Sequence, residues 1–306
     1  MTRNLFIPFL GQAGSSPIIK ANYIIACILK VFIPSEKGVE SVLYTWFIDA
    51  DGTLWRHSPV REALLSAAET IGLRGLDEYY SVHRALLRRG RYLEAYDWHM
   101  VAITVAERHH VSAGTVLRSF EYGLARGLEE LSLLPGVEEV LEEAVGQGIR
   151  LVVVSNGLSK YIDPPLTRSG LSKYFAGVVT PDRVRIHWAP VIKPHRPIFT
   201  EAAKRAPANH YTVIGDTYVD DVLGGLLWGV DRAFLLGEEK PKQLIEDGCA
   251  AVLDGRAAQW YDVLASCNLS LGDYVRVSDW YEIQLTALER SGGGPAGTRT
   301  RDHRRS

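Results

Sequence analysis

Residues 42–53, with the sequence VLYTWFIDADGT, decide the fold that we expect of this chain. The run Val42–Ile48 is apolar and rich in β-branched and aromatic residues, which is typical of a buried strand. Asp49 and Asp51 follow directly, and the alternation of side chains along a strand points both carboxylates the same way. Two carboxylates about 4 Å apart repel each other by roughly 4 kcal/mol at an effective dielectric constant near 20. The pair therefore indicates a bound cation or a shared proton rather than a simple turn.

Other short apolar runs predict the remaining strands of one sheet. They lie at Leu151–Val154, Tyr211–Ile214, Ala233–Leu236 and Ala250–Leu253, and helical periodicity fills most of the sequence between them. Strands that alternate with helices predict a parallel sheet covered on both faces. A sheet of this kind binds ligands at the carboxyl ends of its strands.

One interval, residues 56–134, breaks this alternation because it contains no convincing strand. Its apolar spacing predicts four helices, at Pro59–Ile71, Leu76–Arg88, Tyr92–His109 and Ser112–Leu128, with Ser112 as the N-cap of the last. We therefore expect a helical insert after the first strand. Pro135 then lies near the start of the next helix.

The ends of the later strands carry further polar groups. Ser155 and Asn156 follow the second strand, and on their own they would suggest a turn. Lys193 precedes a predicted helix, His195–Arg205, and on its own it would suggest a solvated surface lysine. The alternative role for Lys193 is to bring an ammonium group to a phosphoryl oxygen and to a carboxylate.

Three aspartates follow the third clear strand, in the stretch GDTYVDD that contains Asp216, Asp220 and Asp221. An Asx turn with acids at a helix N-terminus explains one of them easily but three poorly. Hard oxygen ligands in this arrangement suit Mg²⁺. The acids, the hydroxyl group and the lysine all lie at the ends of strands of one sheet or at the beginning of a following helix. We therefore expect them to form one site.

With these motifs the chain resembles the haloacid dehalogenase-like (HAD) hydrolase superfamily. The four motifs of the family are matched by DADGT, by the strand that ends at Ser155, by Lys193 with KPHRPIF, and by GDTYVDD. The resemblance covers roughly residues 42–266. It implies an α/β fold, a Rossmann-like parallel sheet core with a helical cap inserted after the first strand.

The resemblance also implies a division of the chain. Residues 39–55 and 135–290 would form the HAD-like core, and residues 56–134 the cap. Residues 1–38 would lie outside the fold, either as an appended segment or as the result of a mis-assigned start. Residues 291–306 are rich in glycine and then basic, which predicts a disordered tail.

Applied to this sequence, the family chemistry implies the hydrolysis of a phosphate monoester. Asp49 would attack phosphorus and form an aspartyl-phosphate. Asp51 would protonate the leaving oxygen and then activate water. Ser155, with the backbone N–H of Asn156, would hold the transferring group, and Lys193 would neutralise its charge.

The implied cofactor is Mg²⁺, held by Asp49, the backbone carbonyl of Asp51, and Asp216. Asp221 matches the last acid of the fourth family motif, and Asp220 stands where the family often has asparagine. Which of the two supports the metal is open at this stage.

Candidate substrate-binding residues are Thr53 and Asn156 in the core and Arg88, Arg89 and Arg91 in the insert. The arginines could clamp a second anionic group of the substrate. They could equally be the solvated face of a helix and the turn that follows it.

Alternative activities keep the same core. Haloacid dehalogenation is disfavoured because the second acid, Asp51, is present. Phosphonate cleavage needs a lysine in the cap, and residues 56–134 contain none. A phosphomutase, or a binding module that has lost activity, remains possible, and the sequence does not reveal which phosphorylated compound is the substrate.

Composition sets the remaining expectations. The chain has 306 residues and a formal net charge of -2, which gives no general attraction to nucleic acid. Its three cysteines are few and scattered, which argues against a disulfide framework. The apolar run Ala21–Ile33 is shorter than the about 20 residues of a membrane span. We therefore expect a cytoplasmic enzyme whose partner is a small phosphorylated metabolite, without nucleic acid or membrane; the oligomeric state is unknown.

Overall fold

The computed structural model describes residues 42–184, 191–237 and 274–283. They all belong to one compact unit, Ser41–Leu285. The apolar run Ala21–Ile33, the predicted strand Ala250–Leu253 and both predicted tails lie outside the described residues.

The described residues form one sheet of six parallel strands, in the order β3-β2-β1-β4-β5-β6. The strands are β1 (Tyr44–Ile48), β2 (Arg150–Val154), β3 (Phe175–Val179), β4 (His210–Gly215), β5 (Arg232–Leu236) and β6 (Val275–Val277). Because β1 is central and pairs with β2 and β4, its carboxyl end has a strand end on either side. The predicted Rossmann-like parallel α/β sheet is confirmed.

The two outer strands, β3 and β6, were not predicted from the sequence. β3 contains Ala176 and Gly177 and is largely half-exposed, so it lacks the continuous apolar run that marks a buried strand. β6 is only three residues long and includes the exposed Arg276. Edge strands bury less side-chain surface, and their sequences therefore carry a weaker signal.

Helices lie between successive strands from β1 to β5, and those that follow β1 form the insert. The insert holds α1 (Pro59–Ile71), α2 (Asp77–Arg88), α3 (Tyr92–Ala95), α4 (Trp98–Arg108) and α5 (Ala113–Glu129). The core holds α6 (Val137–Gly146), α7 (Ser159–Arg168), α8 (Arg196–Arg205) and α9 (Gly224–Trp228), with a 3₁₀ turn at Leu171–Tyr174 and a π-helical turn at Tyr218–Leu223. Within the described ranges no helix has the length and apolar character needed to cross a membrane.

The prediction of a single helix over Tyr92–His109 was wrong, because the helix is interrupted between α3 and α4. Asp97 is the N-cap of α4, and its carboxylate accepts a hydrogen bond from the backbone N–H of His99 at 3.2 Å. This local bond competes with continuation of the helix. Ser112 does occupy the N-cap position of α5, but its side chain makes no capping hydrogen bond.

The insert is held together by its own apolar cluster, which is centred on α1, α4 and α5 and includes the buried residues Leu64, Val105 and Phe120. Leu158 and Tyr161, which lie at the beginning of α7, are part of the same cluster. The beginning of α7, shortly after β2, therefore packs against the insert.

Close contact between α1 and α5 depends on two glycines of α5. A Cβ at Gly123 would lie 2.5 Å from the carbonyl oxygen of Glu62, and a Cβ at Gly127 would lie 2.8 Å from the Cα of Pro59. Both distances are shorter than van der Waals contact, so a larger side chain would push the two helices apart.

The Gly123→Ala substitution should therefore destabilise the protein by about 1–3 kcal/mol through overpacking, as measured by urea unfolding. The matched control is Gly114→Ala in the same helix, where a Cβ would meet no atom closer than 3.7 Å. The control should be neutral or stabilising, because alanine has the higher helix propensity. Equal stability of the two variants would contradict the close packing of α1 on α5.

Candidate active site

The polar groups predicted at the strand ends meet at the carboxyl edge of the sheet. Asp49 follows β1, Ser155 follows β2 and Asp216 follows β4, so the central three strands each deliver one group. The backbone N–H of Asp49 donates to the carbonyl of Ile214 at 2.9 Å, which extends the β1–β4 register by one residue and fixes Asp49 beside the end of β4.

Lys193 lies between two of the carboxylates. Its Nζ is 2.5 Å from Asp49 Oδ1 and 2.5 Å from Asp221 Oδ1, and all three side chains are buried, with 4%, 9% and 1% of their surface exposed. Burial acts to lower the pKa of Lys193, but the carboxylates of Asp221 and Asp49 outweigh it and raise that pKa above its usual value. The ammonium group therefore stays charged and compensates both acids.

Asp49, Asp216 and Asp221 each offer one carboxylate oxygen to a common point, because these oxygens lie within 4.8 Å of one another. Two glycines, which have no side chain, leave space for these carboxylates. A Cβ at Gly52 would overlap the carboxylate of Asp216, and a Cβ at Gly215 would overlap that of Asp221. Three hard oxygen donors that converge in this way could hold a divalent cation such as Mg²⁺.

The two neighbouring acids Asp220 and Asp221 have different surroundings. Asp221 Oδ2 accepts hydrogen bonds from the Oγ1 of Thr217 at 2.7 Å and from its backbone N–H at 3.1 Å, which hold the carboxylate toward Lys193. Asp220 Oδ2 instead accepts from Asn156 Nδ2 at 3.2 Å. The carboxylate of Asp221, and not that of Asp220, belongs to the converging group.

Asp51 lies next to an indole that sequence reasoning missed. The Nε1 of Trp55 donates to Asp51 Oδ1 at 2.6 Å. Burial raises the pKa of Asp51, although hydrogen bonds from Trp55 and Ser58 oppose it. The spacing from Asp51 to Trp55 is the available sequence signal, but it gains meaning only once the turn after β1 is known. A carboxyl group with a raised pKa is suited to donate a proton.

Asn156 is the centre of a small polar network. Its Oδ1 accepts from the backbone N–H of Lys193 at 2.6 Å, and its Nδ2 donates to the carbonyl of Lys193 at 3.3 Å and to the hydroxyl oxygen of Tyr96 at 3.1 Å. Ser155 is buried beside it, and its Oγ accepts from the N–H of Gly157 at 3.0 Å. Tyr96 comes from the insert, where no sequence pattern distinguished it from other aromatic residues.

The other predicted substrate-binding residues are not joined to this network. Arg88, Arg89 and Arg91 are exposed, and Arg91 forms an ion pair with Glu94. In the described part of the chain, the side chains of Arg88 and Arg89 make no hydrogen bond or ion pair.

Thr53 is fully buried, and its carbonyl accepts a hydrogen bond from Trp280 Nε1 at 2.7 Å. This contact fixes the loop that follows Asp51 to the last described segment of the chain. The neighbouring Tyr281 packs at Gly136, where a Cβ would lie 3.0 Å from its ring. Both connections between core and insert therefore contact residues 280–281.

Comparison with known proteins agrees with this geometry. Residues 45–227 match the sequence model of the haloacid dehalogenase-like hydrolases. The chain belongs to this family. The match includes all four predicted motifs, so the resemblance inferred from the sequence is confirmed. No curated protein sequence matches the chain.

Several solved structures are similar to this HAD-like hydrolase. A HAD phosphatase from Thermococcus onnurineus is 21% identical, with a TM-score of 0.53, and the match covers 80% of this chain and 98% of that one. A magnesium-bound HAD-hydrolase from Bacillus subtilis, YfnB, is 16% identical, with a TM-score of 0.52 and coverage of 81% and 99%. A structure described as a beta-phosphoglucomutase from Thermotoga maritima is 21% identical, with a TM-score of 0.53 and coverage of 81% and 99%. At these identities the similarity shows the fold.

Removal of one converging carboxylate should weaken Mg²⁺ binding. We expect Asp216→Asn to reduce the affinity at least about tenfold, because the amide oxygen is neutral and a charged oxygen ligand is lost. Isothermal titration with MgCl₂ would measure it. Asp231→Asn is the control, since Asp231 contacts His210 and Tyr211 at the opposite end of β4. An unchanged titration in Asp216→Asn would refute the assignment.

Mg²⁺ binding should also weaken as pH falls. Burial raises the pKa of Asp49 to about 7, with Lys193 opposing and Asp221 adding to the shift. A proton and a cation then compete for this carboxylate, so the affinity should fall through pH 7 and binding should release protons. Titrations at pH 8, 7 and 6 in buffers of different ionisation enthalpy would show this; an affinity independent of pH would contradict it.

Proposed function

We propose that the protein is a Mg²⁺-dependent phosphatase that hydrolyses a small phosphate monoester through an aspartyl-phosphate. The observation that carries the proposal is the buried ammonium of Lys193, which lies 2.5 Å from both Asp49 and Asp221. Phosphoryl transfer depends mainly on positioning and on neutralisation of negative charge, and a fixed cation beside a buried carboxylate supplies both.

In the first step, an oxygen of Asp49 attacks phosphorus as the bond between phosphorus and the ester oxygen breaks. The leaving oxygen takes a proton from Asp51, whose pKa is raised by burial. Lys193 offsets the charge of the transferring group, and Ser155 with the backbone N–H of Asn156 holds it. The products are an alcohol and the aspartyl-phosphate.

In the second step, water attacks phosphorus of the aspartyl-phosphate and gives its proton to Asp51. The bond between phosphorus and Asp49 breaks, which releases inorganic phosphate and restores the Asp49 carboxylate. Asp51 ends the cycle protonated, as it began. The hydrogen bond from Trp55 keeps its carboxyl group in one orientation through both steps.

The residues that would hold Mg²⁺ are Asp49, Asp216 and Asp221, together with the backbone carbonyl of Asp51. The converging carboxylate oxygens and the space that Gly52 leaves for Asp216 fit a small, hard cation. When bound, the ion would lower the negative charge of the site and polarise the phosphoryl group.

The insert, residues 56–134, is proposed as the cap that limits access to the site. Its residues Leu87 and Ala95 form a buried apolar cluster with Ile192, next to the site lysine. The exposure of Arg88 and Arg89 favours the interpretation of a solvated face over that of an anion clamp. The substrate class proposed is a small phosphorylated metabolite.

A phosphate-release screen over a panel of phosphorylated metabolites would test the proposal. We expect release with Mg²⁺ and none with EDTA; equal release in EDTA would contradict the role of the metal. A phosphomutase would instead convert a sugar phosphate to its isomer without release of phosphate, which product analysis would reveal.

Substitution of the acids gives a second test. Asp49→Asn should leave less than about 1% of activity, because the amide is no nucleophile, and Asp51→Asn should reduce kcat by about 10²–10⁴. Asp231→Asn should retain full activity. If Asp49→Asn kept more than a few per cent of turnover, Asp49 would not be the nucleophile.

A further inference from the structure

The segment of the insert around α3 packs directly on the loop that carries the site lysine. Ile192, the residue before Lys193, is fully buried against Leu87 and Ala95. Two residues after the lysine, the ring of His195 packs edge-on against that of Tyr92, with 6.3 Å between the ring centroids. The loop is thus supported by the insert on both sides of Lys193.

The backbone of Lys193 is in turn held by one side chain of the core. Asn156 accepts from its N–H at 2.6 Å and donates to its C=O at 3.3 Å. A paired contact of this kind fixes both the position and the direction of the peptide. The side chain of Lys193 leaves from this fixed point toward Asp49 and Asp221.

The amide of Asn156 is shared with the insert. Its Nδ2 carries two hydrogens and faces three acceptors: the Tyr96 hydroxyl oxygen at 3.1 Å, Asp220 Oδ2 at 3.2 Å and the Lys193 carbonyl at 3.3 Å. Tyr96 and the carboxylate of Asp220 attract the amide from different residues, so without the Tyr96 hydroxyl the amide would turn toward the charged and therefore stronger acceptor, Asp220, and away from the Lys193 peptide. The orientation of the amide therefore depends on Tyr96.

A second contact joins the same loop to the insert. The chain after Asn156 runs into Leu158 and Tyr161, which are buried in the apolar cluster of the insert. The hydroxyl of Tyr161 lies 2.5 Å from His99 Nδ1 and 3.0 Å from its backbone nitrogen. Asn156 is accordingly linked to the insert twice. Its side chain contacts Tyr96, and the chain that follows it is anchored in the insert by Tyr161.

We propose that Tyr96 is a positioning residue: from the insert, it orients the Asn156 amide, which sets the backbone of Lys193 and so the placement of its ammonium group between Asp49 and Asp221. The catalytic consequence rests on the proposed phosphatase function, whereas the structural link does not. A displaced Lys193 would stabilise the transferring group less well, because such stabilisation depends on preorganised geometry.

The structural link is tested by hydrogen–deuterium exchange of the Lys193 amide, resolved by fragmentation mass spectrometry. In Tyr96→Phe we expect exchange about fivefold faster, because the Asn156 amide turns toward Asp220 and its Oδ1 holds the Lys193 N–H less well, an effect of the size of one neutral hydrogen bond. The control is Tyr92→Phe in the same short helix, since the Tyr92 hydroxyl makes no hydrogen bond within the described residues. Amides of β2 should be unchanged in both variants, which shows that the fold is intact. Exchange at Lys193 equal to wild type in Tyr96→Phe would overturn the proposal.

The kinetic arm measures phosphate release and Mg²⁺ titration in the same variants. We expect kcat of Tyr96→Phe, measured at a Mg²⁺ concentration that the titration shows to be saturating, to fall about fivefold, and Tyr92→Phe to match wild type. In an Asn156→Ala background, Tyr96→Phe should cause no further loss, and an additive loss would contradict action through Asn156. If the wild-type protein released no phosphate, the proposed function would fail, while the exchange experiment would still decide the structural link.

Discussion

The arrangement of the site depends on one buried positive charge, the ammonium group of Lys193. Lys193 compensates Asp49 and Asp221 at 2.5 Å each, and all three side chains are buried. Two buried carboxylates without it would repel each other, and removal of one partner from a buried charge pair generally costs about 3–5 kcal/mol. The fold must therefore bring residues 144 positions apart into contact and hold them there.

The parallel sheet meets this requirement by its topology. With β1 between β2 and β4, the carboxyl ends of three neighbouring strands lie side by side, and glycines leave space for the carboxylates. The insert departs from the same edge after Asp51 and returns at Gly136. Its residues consequently lie next to the site, and Tyr96 reaches Asn156 from that side.

Much of the core could be predicted because its signals are local. The run Val42–Ile48 and the residues that follow it carry both the strand pattern and the acids, and α1 was predicted with its exact bounds, Pro59–Ile71. Prediction failed where a local pattern was weak or competed with another. β3 lacks an apolar run. Between α3 and α4 the apolar spacing continues, but the hydrogen bond from the His99 N–H to Asp97 favours a new helix start there.

The sequence by itself determined the strands β1, β2, β4 and β5, the family, and the kinds of chemical group that follow β1, β2 and β4, because these follow from patterns of a few neighbouring residues. The tertiary structure decided which groups touch. Asp220 and Asp221 are adjacent in the chain, but neighbouring residues on a helical turn point in different directions, so one meets Asn156 and the other meets Lys193. Packing between distant segments likewise selected Tyr96, which no pattern in the sequence distinguishes, because a contact across the insert depends on how helices pack and not on the spacing of residues along the chain.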